Sequence, residues 1–84
     1  MDLNYKLKRD CVSRTASMLA WNLKKISGGS GIRITYNDIV FNGTSLIGLL
    51  NNHMMQGEKF MITIDDVNII NDVKNILSEI AELV

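Results

Sequence analysis

The sequence predicts an α+β fold, an open-faced sandwich in which a four-stranded antiparallel sheet carries three helices on one face, in the order β-α-β-β-α-β-α. Three observations predict it. Segments with an apolar residue at every second position alternate with segments whose apolar residues fall three and four apart, the periods of strand and helix. Turn-forming residues separate them, a glycine cluster at Gly28-Gly29-Ser30-Gly31 and the pair Asn37-Asp38 among them. The chain of 84 residues, without proline, repeat or low-complexity tract, reads as a single domain over 1–84.

Each element follows from these rules. Leu3, Tyr5 and Leu7 alternate with Asn4, Lys6 and Lys8, so the first strand hides one face. From Ser13 to Ser27, Ala16, Leu19, Ala20, Leu23 and Ile26 make one helical stripe, and the glycine cluster stops it. Ile32, Ile34 and Tyr36 alternate again; Asn37-Asp38 turns the chain, and Ile39-Val40-Phe41 returns as a short strand. Ser45 to Asn52 reads as a short helix whose Leu46, Ile47, Leu49 and Leu50 run nearly all round it, which leaves apolar surface exposed. Phe60, Ile62 and Ile64 alternate with Met61 and Thr63 as the fourth strand. Asp65-Asp66 then supplies acidic capping for a last helix bearing Ile69, Val73, Ile76, Ile80 and Leu83.

Composition narrows the function classes. One cysteine permits no internal disulfide, and no Cys/His cluster has metal-ligand spacing, so no metal or other cofactor is expected. No apolar run approaches the roughly 20 residues of a membrane span, and charged residues break up the first stretch before a signal-peptide core can form, which predicts a cytoplasmic protein. The net charge is zero but segregated: residues 1–33 hold seven Lys/Arg and two Asp, residues 34–84 two Lys and seven Asp/Glu. That split favours docking of the basic N-terminal part on an acidic protein partner, whereas nucleic-acid binding calls for an overall basic domain. The rival reading is mutual neutralisation of the two halves within one small fold.

Two helix starts carry the candidate chemistry, Ser13-Arg14-Thr15-Ala16-Ser17-Met18-Leu19 and Gly43-Thr44-Ser45-Leu46-Ile47-Gly48-Leu49-Leu50. A hydroxyl residue ahead of an apolar helical run marks an N-cap, where unpaired N–H groups and the helix dipole favour an anion such as phosphate. No histidine stands in or before the first of them, because the one histidine of the chain is His53.

In these two segments the chain resembles the histidine-containing phosphocarrier proteins, HPr, of the bacterial sugar phosphotransferase system. Asp10-Cys11-Val12-Ser13-Arg14-Thr15-Ala16-Ser17-Met18-Leu19 lies in register with the family's Gly-Ile-His-Ala-Arg-Pro-Ala-Thr-Met-Leu, and Thr44-Ser45-Leu46-Ile47-Gly48-Leu49-Leu50 with its Lys-Ser-Ile-Met-Gly-Val-Met. The order of elements is also the family's, which implies an HPr-like open-faced sandwich. The departures matter most. The phospho-accepting histidine falls on Val12, which has no nucleophile, and the family's proline falls on Thr15. The resemblance therefore implies a relative without catalytic residues, unable to carry phosphohistidine.

What persists implies a regulatory, partner-binding role. Arg14 keeps the arginine that helps neutralise the family's phosphohistidine, and its planar fork suits a carboxylate or phosphate. Ser45 matches the serine that a dedicated kinase phosphorylates in many Gram-positive relatives, with Thr44 in place of the lysine that often precedes it. The family's docking patch would here comprise Arg14, Ser17, Met18, Trp21, Leu46, Ile47 and Leu50, with a transcriptional regulator, a kinase or a phosphotransferase-system protein as partner. Two rivals stand beside this reading: an altered phosphocarrier using Cys11, and a diverged interaction domain with no link to sugar transport; His53, just after the second helix with no partner in reach by sequence, reads as a surface histidine before a catalytic one.

Overall fold

The computed structural model describes residues 1–84. Its elements are β1 (Asp2–Leu7), α1 (Ser13–Ser27), β2 (Ile32–Tyr36), β3 (Ile39–Asn42), α2 (Leu46–Asn52), β4 (Lys59–Ile64), a single 3₁₀ turn (Val67–Ile69), α3 (Ile70–Leu77) and β5 (Ala81–Leu83). All strands pair antiparallel in the order β3-β2-β4-β1-β5.

Alternation along the strands decides the core. Rows of facing residues such as Ile34 with Ile62, and Tyr5 with Phe60, lie on the helix-covered side and are buried. The Tyr5 and Phe60 rings stack with centroids 5.8 Å apart. Leu19 and Leu23 of α1, Leu49 of α2, and Val73 and Leu77 of α3 close the layer from above. Asn4, Arg33, Thr35 and Thr63, one residue out of phase, lie on the other face, where Arg33 makes a bidentate pair with Asp65 (2.9 and 3.0 Å).

Most boundaries follow local chemistry. Gly28 ends α1 in the left-handed region (φ 73°) and donates its N–H to Lys24 O, a turn that glycine adopts without a Cβ clash. Asn37 and Asp38, both at positive φ, form the two-residue loop of the β2–β3 hairpin, as twisted strands prefer. Asp66 caps the 3₁₀ turn by accepting from Asn68 N (2.9 Å), while Asp65 is spent on Arg33 and takes no part in capping.

The sheet has five strands, against the four expected. The last helix stops at Leu77, and the chain turns at Ser78–Ile80 so that Ala81–Leu83 pairs with the outer edge of β1. Lys8 N donates to Ile80 O (2.8 Å) and Val84 N to Asn4 O (3.0 Å), so β1 keeps few unmet backbone groups on that side. Ile80 and Leu83 share a three-residue spacing that imitates a helix face. Ile80 is buried from the turn, Leu83 is half exposed on the edge strand, and Leu77, absent from the expected stripe, takes the core position.

Candidate functional site

The two helix starts are built differently. At α2, Ser45 has extended backbone and its Oγ accepts from Gly48 N at 3.1 Å, an N-cap in the expected place. At α1 the expectation that Ser13 is the capping hydroxyl fails. Ser13 is already inside the helix, at φ 48°, and the cap position falls to Val12, whose extended backbone (φ −133°, ψ 163°) brings no side-chain acceptor. A non-glycine residue at that φ is strained locally and needs support from its surroundings.

That support is a seam of hydrogen bonds between the loop before α1 and the loop after α2. Leu7 N donates to Glu58 O and Gly57 N to Leu7 O (both 2.9 Å), Gln56 N donates to an Asp10 carboxylate oxygen (2.7 Å), and Cys11 N to Met54 O (2.8 Å). The two segments run antiparallel, and Val12 on one and His53 on the other are the next residues beyond the last of these bonds, Cys11 N to Met54 O. Glu58 clamps the second loop: Oε1 accepts from Met55 N (2.8 Å) and Oε2 from the Tyr36 hydroxyl (2.5 Å). The Tyr36 hydrogen bond, with the Met55 amide behind it, lowers the Glu58 carboxyl below its ordinary value, and the same bond raises the Tyr36 phenol.

The candidate residues divide by exposure. Cys11 is fully buried under this seam, and burial pushes its thiol up to about 11, so no thiolate stands at the α1 terminus. His53 is exposed at the C-terminal end of α2 in the left-handed region (φ 47°). Val12 and Thr15 are half-buried, and Arg14 and Ser17 are exposed on the first turns of α1. Met18, Trp21 and Ile47 stand well out of the core, Trp21 63% and Ile47 71% exposed, with Leu46 and Leu50 less so. Helical spacing sets Ser17 and Trp21 on the outer side of α1, while Met18 turns toward α3 and lines a cleft there with Leu19 and Ile76.

Leu49 alone of the α2 apolar residues is buried, which accounts for the exposed apolar surface expected of that helix. Close packing holds it down. A Cβ on Gly48 would lie 2.9 Å from Phe41 Cδ2 of β3, so glycine is what lets α2 approach the sheet edge. Sequence alone does not reveal Glu58 and Tyr36 as the clamp of the loop after α2. A Tyr and a Glu far apart in the chain carry no spacing signal, and only the β2–β4 pairing brings them together.

Comparison with known structures places the fold. The chain is similar to the crystal structure of HPr-C-His from Thermoanaerobacter tengcongensis, with a TM-score of 0.72 at 18% sequence identity, over 94% of this chain and 85% of that one. No protein-family profile matches the sequence. No curated protein sequence matches it either. The fold is therefore HPr-like: an antiparallel sheet with three helices on one face. No helix is long and apolar enough to cross a membrane.

Proposed function

We propose that this chain is a non-catalytic, HPr-like regulatory protein of the phosphotransferase type, which binds a protein partner and carries no phosphohistidine at position 12. One observation carries the reading: the residue at the α1 cap is Val12, a side chain that can neither accept a phosphoryl group nor cap the helix, beside an exposed face bearing Arg14, Ser17, Trp21, Leu46, Ile47 and Leu50. Such a surface docks by an aromatic anchor with apolar neighbours, and Arg14 offers a carboxylate or phosphate its two-pronged contact. The partner is a transcriptional regulator, a kinase or a phosphotransferase-system protein.

Ser45 gives this surface a switch. Its hydroxyl sits half-buried at the α2 cap among Leu46 and Ile47, so phosphorylation puts nearly two negative charges at the positive end of the helix and changes which partner fits, with the fold left in place. Two incubations test the reading. With ATP and the HPr serine kinase, Ser45 acquires phosphate, and Ser45→Asp binds a regulator that Ser45→Ala does not; failure of both leaves a diverged interaction domain. With phosphoenolpyruvate, enzyme I and labelled phosphate, the protein stays unlabelled.

A second reading has one observation in its favour, the Cys11–Met54 bond of the seam, with Val12 and His53 each one residue beyond it. An imidazole there would replace the missing one from the opposite loop. Acid-labile label that disappears in His53→Gln would establish it and overturn the carrier-negative proposal. The buried Cys11 has no comparable route to a donor.

A further inference from the structure

The two edges of the sheet are guarded differently. At one, β5 covers β1 and carries Glu82, a charge that discourages further pairing. At the other, β3 has no neighbour beyond it. No charge or proline protects this edge: the chain has no Lys, Arg, Asp or Glu from Ile39 to Gly57, and Ile39 and Val40 are 53% and 59% exposed. The hairpin register fixes which backbone groups face outward. Gly43 N donates to Ile32 O (2.9 Å), so the residues of β3 bonded to β2 are Phe41 and Ile39, while Val40 and Asn42 turn their N–H and C=O groups away from it. Asn42 O accepts from Ser45 N (3.0 Å). Val40 N, Val40 O and Asn42 N are left without partners, as is Asp38 O in the adjoining turn.

One antiparallel register between two copies of the chain uses these free groups. With Val40 opposite the second copy's Val40, each Val40 N–H meets the other's C=O, and each Asn42 N–H meets the second copy's Asp38 C=O. The side chains then match as well, Val40 on Val40 at the open face and Ile39 on Phe41 at the helix-covered face. Asp38 comes opposite Asn42, whose neighbour on β2 is Arg33, so the charge at each end approaches its opposite and not its like. Neighbouring registers fit worse. The next one toward the turn sets Val40 on Asp38 and Phe41 on Asn37, and the next one away from it points Val40 N at Asn42 O, which Ser45 N already occupies. We propose that β3 pairs with β3 of a second copy about a two-fold axis at Val40, joining two five-stranded sheets into one continuous sheet. A four-residue strand buries less than the roughly 1,200 Å² of stable complexes, so the dimer is weak, with a dissociation constant of about 0.1–1 mM.

Amide spectra and diffusion NMR of the full chain, diluted from about 1 mM to about 0.02 mM, test it. At the higher concentration diffusion slows toward that of a dimer and the amide signals of Val40 and Asn42 shift; dilution reverses both. Val40→Lys sets two ammonium groups opposite each other at the axis and removes the concentration dependence, and Val40→Glu does the same with two carboxylates. An equimolar mixture of the two variants regains it, because lysine then faces glutamate. The side chain is exposed, and unchanged amide spectra of the dilute variants verify their fold. The proposal fails if the parent's spectra and diffusion do not depend on concentration, or if the dependent signals lie in α1, α2 or β5 instead of β3. It fails equally if Val40→Lys associates as the parent does, or if the mixture associates no better than either variant alone.

Discussion

The starts of α1 and α2 solve one physical problem in opposite ways. Both leave backbone N–H groups without helical partners. At α2 the answer is local, since Ser45 reaches Gly48 N within its own turn. At α1 no side chain caps the end; Val12 stands there with Ser13 strained at φ 48°, and distant groups fix the geometry through Cys11–Met54, Asp10–Gln56 and the Glu58 clamp. A helix start held by its own sequence survives changes elsewhere, whereas one held by a neighbouring loop is as firm as that loop. The difference teaches that the α1 start is a product of tertiary structure and the α2 start of its own residues.

The largest expected effect tests how α2 is seated. Gly48→Ala should gain about 1 kcal/mol of helix propensity yet lose about 1–3 kcal/mol to overpacking, because the new Cβ would meet Phe41 Cδ2 at 2.9 Å. A net loss in urea unfolding is expected, and in a Phe41→Leu background the same change becomes neutral or stabilising, a double-mutant cycle that assigns the loss to the ring. Next comes the cap itself. Ser45→Ala removes the Oγ acceptor and should cost about 1 kcal/mol, read as a lower midpoint with an unchanged denaturant slope. Neither change should disturb the seam at α1, which amide exchange at Cys11 can verify.

The same contrast explains what was legible before the structure. Strand alternation, the glycine stop at Gly28, the Asn37-Asp38 turn and the Ser45 cap are local, so each could be read where it stands. β5 could not. Three residues are too few to show a period of two, and their reason for being a strand is the open edge of β1 at the other end of the chain. The α1 cap was misplaced by one residue for a related cause: Ser13 has the right side chain, but the seam fixes the loop so that Val12 occupies the cap. Of the site, exposure of Leu46 and Ile47 was foreseeable from a helix more apolar than one buried stripe needs, whereas for Trp21, off the stripe of α1, only the structure decides between an exposed anchor and a cover over the core. The seam joining Cys11 to Met54 and the Tyr36–Glu58 clamp were not, because both depend on pairing between distant segments.

A smaller effect should come from giving α1 the cap it lacks. Val12 has the extended backbone of an N-cap residue already, and threonine keeps one branch of its half-buried side chain while adding a hydroxyl. Val12→Thr should raise stability by about 0.5–1 kcal/mol in the same urea assay. If it does not, the strained Ser13 turn holds the cap residue where its side chain cannot reach the N–H of the first turn, and the contrast between the two starts is sharper than their dihedral angles indicate.

The smallest effect concerns the clamp and depends on pH. Glu58 is held below its ordinary value by the Tyr36 hydroxyl and the Met55 amide, so the folded state binds its proton less readily than the unfolded chain does. Its stabilisation is complete above the unfolded carboxyl value of about 4.3 and is lost as the pH falls through the lower folded value. Glu58→Gln keeps an acceptor but not the charge, and should be slightly less stable than the parent at neutral pH. The two unfolding curves should converge as acid protonates the parent's Glu58. A gap that stays constant from neutral to acid pH would mean that shape, and not charge, lets this residue hold the loop against the start of α1.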